Sequence, residues 1–142
     1  RLTSLSELGE SLHSLEALQS LSLNFADCPG LASLAGLGLG LRGLRALAAL
    51  DLDFGFCSGL RSLEGLGEGI RGLEALTTLS LDFEDCWRLT SLGGLGEGLR
   101  GLVALTALEL YFEDCSSLPP EAKERLRQDI ASLGQCKTAL LL

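Results

Sequence analysis

Positive charge is scarce in this sequence of 142 residues. It contains 11 Lys and Arg residues against 19 Asp and Glu residues, which gives a net charge of −8. Nucleic-acid binding depends on Lys and Arg side chains that meet phosphates, so this deficit argues against a general nucleic-acid binder. The negative charge favours a basic protein surface or a cation as partner, or serves solubility alone.

The sequence also lacks methionine and long apolar runs. A membrane-spanning helix needs about 20 consecutive apolar residues, so we predict no membrane span. The chain opens at Arg1 without a signal-like segment, and we expect it to be part of a longer chain or of a complex. Five cysteines in a chain of this length favour a reducing, intracellular compartment, with the organelle left open.

Histidine is almost absent, with His13 as its single example. A zinc site or a Cys–His nucleophile would normally use histidine. His13 aligns with Arg42, Arg71 and Arg100 of later repeats, which indicates a solvent-facing position rather than a catalytic one. We therefore predict no enzymatic activity, no metal site and no cofactor.

Leucine is in excess, with 38 residues, and much of it belongs to a 29-residue repeat. Four copies span residues 2–30, 31–59, 60–88 and 89–117, here called repeats 1 to 4. Two further residue types recur in register and are predicted to be structural: Cys28, Cys57, Cys86 and Cys115, and Phe25, Phe54, Phe83 and Phe112. A period of this length is typical of stacked repeat proteins.

Each repeat contains two apolar periods. Leu79, Leu81 and Phe83 alternate as in a strand with one buried face. The segment 66–76 has apolar residues at the spacing of a helical stripe, and Glu68 lies where that helix begins. One strand and one helix cannot bury their apolar faces alone, so the repeats are predicted to stack into an α/β solenoid.

The segment "LDFEDCWRL" reads Leu-x-Phe-x-x-Cys-x-x-Leu, and "LNFADCPGL", "LDFGFCSGL" and "LYFEDCSSL" repeat it. This signature and the repeat length of 29 residues resemble the leucine-rich repeat family, in particular its cysteine-containing and ribonuclease-inhibitor-like subclasses. The resemblance implies a right-handed solenoid with a curved parallel sheet on the concave face and helices on the convex face. It also implies that Cys86 and its equivalents turn inward and cap backbone groups of the neighbouring repeat. In this family, function usually resides on the exposed strand positions.

The pattern Gly-x-Gly-x-x-Gly occurs in repeats 2, 3 and 4, for example at Gly67, Gly69 and Gly72. A dinucleotide site needs this motif directly after a strand, where it opens the helix. Here the nearest preceding strand ends about a dozen residues earlier, and the motif recurs in three repeats. We therefore interpret the glycines as residues for a tight turn and for close helix packing.

Acidic residues cluster on the predicted outward positions of the strands. The windows 19–27, 48–56, 77–85 and 106–114 contain nine Asp and Glu residues and no Lys or Arg. The candidate partner-binding residues are Asp51, Asp53, Asp82, Glu84, Glu109, Tyr111 and Glu113. We predict a scaffold or interaction module that docks a basic protein on an acidic concave face.

Three alternatives stay open for this chain. The acidic face can be only a solvated surface that resists aggregation, or it can bind a divalent cation. The chain can also be a structural accessory subunit of a larger assembly, such as an organellar one in a unicellular eukaryote or alga. Its convex helices or its N-terminal edge would then hold it in place.

The C-terminal segment 118–142 departs from the repeat. Pro119 and Pro120 suit a helix start, and the polar segment from Glu121 to about Leu133 favours a helix. We predict that this helix caps the apolar end of the solenoid. No comparable cap precedes Leu2, so we expect further repeats or a partner at that edge. Cys136 and the tail 140–142 receive no role from the sequence.

Overall fold

The computed structural model describes residues 1–134 and 136–142, in which helices and strands alternate. The helices are α1 (Ser6–Leu12), α2 (Ala35–Leu41), α3 (Leu66–Ile70), α4 (Leu95–Arg100) and α5 (Pro120–Ala131). The strands are β1 (Ser20–Asn24), β2 (Ala49–Asp53), β3 (Thr78–Asp82), β4 (Ala107–Tyr111) and β5 (Lys137–Leu141). This is an α/β architecture, as predicted.

The five strands form one parallel sheet in the order β1-β2-β3-β4-β5. From β1 to β4 each residue lies opposite its repeat equivalent, as Leu50 lies opposite Leu79. Each helix packs against the helix of the next repeat. Repeated strand–helix units in a parallel sheet confirm the predicted repeat organisation and are compatible with a solenoid.

The core lies between the sheet and the helices and is filled mainly by leucine. A column of phenylalanines runs through it just beyond the strand ends, with successive ring centroids 5.4, 5.4 and 5.3 Å apart. Phe54, Phe83 and Phe112 are fully buried, whereas Phe25 is only partly buried. Phe25 belongs to repeat 1, which is covered by a neighbouring repeat on one side only.

The helices of the repeats are shorter than the sequence pattern predicts. α3 ends at Ile70, and the last two leucines of its predicted stripe, Leu73 and Leu76, lie in turns with i to i+3 hydrogen bonds. Both leucines are nevertheless buried. The glycines of this segment explain the difference, because glycine is about 1 kcal/mol less favourable than alanine inside a helix. In the part of the chain that the structure describes, no helix is both long and apolar enough to cross a membrane.

The glycines allow the helices to approach each other closely. A Cβ atom on Gly69 would lie 2.5 Å from the carbonyl oxygen of Gly38, a backbone atom of α2. Gly65 has φ of +91° at the residue before α3, so it supplies the tight turn. Gly72, the third glycine of the motif, meets no atom within 4 Å among the described residues. Packing and turn geometry thus account for Gly65 and Gly69 but not for Gly72.

The C-terminal segment contributes a strand as well as the predicted helix. α5 packs on α4, buries Leu126 and pairs Asp129 with Arg100 at 3.5 Å. β5 then pairs in parallel with β4, so the tail that received no role from the sequence extends the sheet. Within the predicted segment 118–142, Gln135 lies outside the described residues.

Candidate functional site

The predicted partner-binding residues occupy equivalent outward positions of successive repeats. Two rows follow directly from the strand register: Ser22, Asp51, Ser80 and Glu109, and then Asn24, Asp53, Asp82 and Tyr111. Glu84 and Glu113 follow the ends of β3 and β4, where Asp85 N–H donates to the Glu113 carbonyl at 2.9 Å. None of the seven predicted residues is buried, whereas the alternating leucines of β2, β3 and β4 are. We call the seven predicted residues the acidic sheet face.

The first row combines carboxylates with hydroxyl groups. Ser22 Oγ donates to Asp51 Oδ2 at 3.1 Å, and Ser80 Oγ donates to Glu109 Oε2 at 3.5 Å. A shallow depression of about 260 Å³ lies over this row and is lined by all four side chains.

The second row has a structural task that the sequence interpretation missed. Asp53 Oδ1 accepts a hydrogen bond from Gly55 N–H at 2.9 Å, and Asp82 Oδ1 accepts one from Glu84 N–H at 2.8 Å. Asn24 makes the same bond to Ala26 N–H at 2.9 Å. These are Asx turns. An Asp or Asn residue at the last position of each predicted strand could have indicated them from the sequence. Because Asn24 forms this turn without a charge, asparagine can replace the aspartates and keep the turn hydrogen bonds. At position 53 it also removes the acceptor of the Asn24 amide, which donates to Asp53 Oδ2 at 2.9 Å.

Negatively charged side chains crowd around Glu84 on the acidic sheet face. Partial desolvation raises the pKa of Glu84 above its ordinary value, and the charges of Asp82, Glu113, Asp85 and Asp114 raise it further. Within residues 1–134 and 136–142, the three ion pairs all lie on the helices, at Arg42–Glu68, Arg100–Asp129 and Arg127–Glu124. The carboxylates of the acidic sheet face therefore repel one another without a neutralising partner in the described chain.

Tyr111 lies at the end of the second row and joins the same charge cluster. Its hydroxyl donates to Glu109 Oε2 at 3.3 Å. Desolvation and the negative charge of Glu109 both raise the pKa of Tyr111, so the phenol stays protonated near neutral pH. The hydroxyl thus remains a hydrogen-bond donor on a surface of acceptors.

We expect Glu84→Gln to stabilise the fold at pH 7. A raised pKa means that the folded state favours the protonated carboxyl, so stability is lost as pH rises through the folded-state pKa. The ionised Glu84 therefore opposes folding at pH 7, and glutamine removes this effect. Thermal unfolding should show a higher midpoint for the variant at pH 7, with the difference shrinking as pH falls below 4.5. Glu74→Gln, an exposed change of equal charge on the helix side, is the control. An equal rise for both variants would contradict the prediction.

The cysteines of the repeats form hydrogen bonds inside the core. The thiols of Cys57, Cys86 and Cys115 donate to the carbonyl oxygens of Phe25, Phe54 and Phe83, respectively, at 3.1–3.2 Å. Desolvation raises the pKa of Cys86 to about 12 and that of Cys115 to about 11. These thiols remain protonated near neutral pH and are poor nucleophiles. Cys28, in repeat 1, is only partly buried.

Metal-binding side chains do not converge in the described part of the chain. There, no group of three or more His, Cys, Asp or Glu side chains is arranged to hold a metal ion. His13 is exposed at the end of α1. Two exposed aromatic residues that were not predicted as site residues, Phe56 and Trp87, follow the ends of β2 and β3. The other repeats have no aromatic residue at these two positions, and this difference could have been noticed in the sequence.

Comparison of the chain with protein-family models, with curated proteins and with solved structures finds no match. The functional assignment therefore depends on the geometry of the acidic sheet face.

Proposed function

We propose that the protein is a non-enzymatic interaction module that docks a basic segment of another protein on the acidic sheet face. In this proposal the chain is a right-handed leucine-rich repeat solenoid, with the sheet on its concave side and the helices on its convex side. The alternation of strands and helices in one parallel sheet supports that architecture. The five free thiols support a reducing intracellular compartment.

The main support is the unneutralised negative charge of the face. Asp53 lies directly opposite Asp82 in the register, although like charges at such positions destabilise a sheet. Glu84 lies among four further carboxylates that raise its pKa. Lys and Arg side chains of a partner would relieve this repulsion, so binding gains energy that the free protein lacks.

The rows of the acidic sheet face run across the strands. Neighbouring strands lie about 4.8 Å apart, so each row presents one side chain at that interval across the sheet. Side chains on one face of an extended peptide recur about every 6.7 Å, so they do not match the row one to one. The long, flexible side chains of Lys and Arg can still reach the nearest carboxylates of the row. The depression over Asp51 and Glu109 then receives the apolar stem of a long side chain.

The test compares two triple variants for binding of a labelled synthetic peptide in which Lys and Arg alternate with Ala. Asp53→Asn, Asp82→Asn and Glu113→Gln together remove three charges and keep the turn hydrogen bonds possible, as Asn24 shows. We expect about tenfold weaker binding at about 0.1 M salt, since exposed charge pairs contribute about 0.2–1 kcal/mol each. Fluorescence polarisation measures the affinity.

The matched control removes three exposed charges from outside the face, by Glu16→Gln, Glu64→Gln and Glu74→Gln. Its affinity should stay within about twofold of the wild type, because screening weakens charges beyond about 10 Å. An equal loss in both triple variants would show attraction by net charge alone and would contradict the docking face.

A second candidate role is that of a structural accessory subunit held by its N-terminal edge. Leu21 and Leu23 of β1 and the adjacent Phe25 are only partly buried, while their equivalents in the next repeat are buried. An apolar contact at this edge would survive about 1 M salt, at which surface charge attraction is screened within about 3 Å. A native complex that persists at that salt concentration would favour this role over electrostatic docking.

A further inference from the structure

Two aromatic side chains are exposed at the edge of the sheet where the strands end. Phe56 is 52% exposed and Trp87 is 49% exposed, whereas Phe54, Phe83 and Phe112 are fully buried. Phe56 N–H donates to the carbonyl of Glu84 at 2.8 Å, and Trp87 follows Glu84 by three residues. The two aromatic residues therefore belong to adjacent repeats, and the backbone segments that carry them follow the strand ends near Glu84.

Phe56 adopts a backbone conformation that is unfavourable for phenylalanine. Its φ is +61°, and the equivalent residues Asp27, Asp85 and Asp114 have φ of 58°, 55° and 58°. Aspartate tolerates this left-handed region, but a bulky aromatic residue seldom adopts it. The exposed ring also adds little to the core. Phe56 thus bears a local conformational cost at a position where three other repeats use a better-suited residue, a pattern that points to function.

Trp87 already interacts with a guanidinium group. The Arg88 guanidinium carbon lies 5.1 Å from the centre of the indole ring, within the range of a cation–π contact. The equivalent residues of the other repeats are Pro29, Ser58 and Ser116, so the aromatic ring is specific to repeat 3. About half of the Trp87 surface remains exposed beside this contact.

The aromatic residues border the most acidic part of the face. Asp82, Glu84 and Asp85 lie in the same repeat as Trp87, and Glu113 and Asp114 lie in the next. The charges of the other four carboxyl groups all raise the pKa of Glu84, which shows that the five groups share one small region. Exposed rings beside clustered carboxylates form a surface suited to a planar cation.

We infer that Phe56 and Trp87 anchor an arginine side chain of the basic partner, with its guanidinium stacked on a ring and paired with the carboxylate of Glu84 or Asp85. This inference rests on the proposed function. Arginine fits better than lysine because its guanidinium is planar, less hydrated and able to form two parallel hydrogen bonds to a carboxylate. The anchor therefore adds arginine selectivity to the charge attraction of the acidic sheet face.

The test titrates the protein with two synthetic peptides of equal length and charge, one with Arg and one with Lys between alanines. Trp87 is the only tryptophan of the chain, so its fluorescence reports directly on the anchor. We expect the Arg peptide to bind about three- to tenfold more tightly and to change the tryptophan emission. The Lys peptide should bind through charge with a smaller change in emission.

The variant Phe56→Gly/Trp87→Ser removes both rings without changing the charge. Glycine suits the positive φ at position 56, and Ser58 and Ser116 show that serine fits at the second position. Because the variant contains no tryptophan, fluorescence polarisation of labelled peptides measures its affinity and that of the wild type. The variant should bind both peptides with equal affinity, close to that of the wild type for the Lys peptide. If this variant still prefers the Arg peptide, or if the wild type shows no such preference, the aromatic anchor is overturned while the proposed function stands. If the wild type binds neither peptide, the proposed function fails and the anchor fails with it.

Discussion

Phe83→Ala is expected to destabilise the fold by about 3–5 kcal/mol, the usual cost of truncating a fully buried phenylalanine. Phe83 is 0% exposed and stacks on Phe54 at 5.4 Å and on Phe112 at 5.3 Å. Truncation leaves a cavity in the middle of the column and breaks two aromatic contacts, worth about 0.5–1.5 kcal/mol each. Urea unfolding followed by circular dichroism measures the free energy of unfolding.

Phe56→Ala provides the matched control, because it removes the same atoms from a ring that is 52% exposed. Its effect should stay within about 0.5 kcal/mol, since it opens no cavity. If Phe83→Ala cost no more than Phe56→Ala, the stacked phenylalanines would not be a continuous core.

Gly69→Ala should destabilise the protein by about 1–3 kcal/mol, the usual cost of overpacking. In an exposed helix the same change would stabilise by up to about 1 kcal/mol. Here the added Cβ would lie 2.5 Å from the Gly38 carbonyl oxygen and 2.6 Å from its Cα, so two helix backbones must separate. Urea unfolding again measures the effect.

Gly72→Ala is the control within the same motif. Its Cβ would meet no atom within 4 Å among the described residues, and its φ does not lie in the left-handed region. Alanine restricts the conformations of the unfolded chain. The free energy of unfolding of this variant should therefore equal that of the wild type or exceed it by about 0.4–1 kcal/mol. Equal effects of the two substitutions would show that helix contact does not determine the need for glycine at position 69.

Much of the acidic sheet face was predictable because strands have a strict period of two and the repeats share one register. Once Leu79 and Leu81 face the core, Ser80 and Asp82 must face the other side, and the 29-residue spacing aligns Asp82 with Asp53. The turn hydrogen bonds of Asp53 and Asp82 were missed, because an aspartate at a strand end suits both a turn and a binding surface. Phe56 and Trp87 were not predicted as exposed aromatic residues, because the repeat pattern does not constrain their positions and their exposure depends on how the turns after the strands fold.

The sequence by itself determined the α/β class, the parallel pairing of the repeated strands and the alternation of buried and outward residues. These features follow from local periodicity, which the linear chain contains in full. Only the tertiary structure revealed the fifth strand, whose segment Lys137–Leu141 lacks the Phe and Cys signature and becomes a strand through pairing with β4. It also decided that Gly69, but not Gly72, contacts a neighbouring helix. Such outcomes depend on distances between residues about 30 positions apart, which no local pattern encodes.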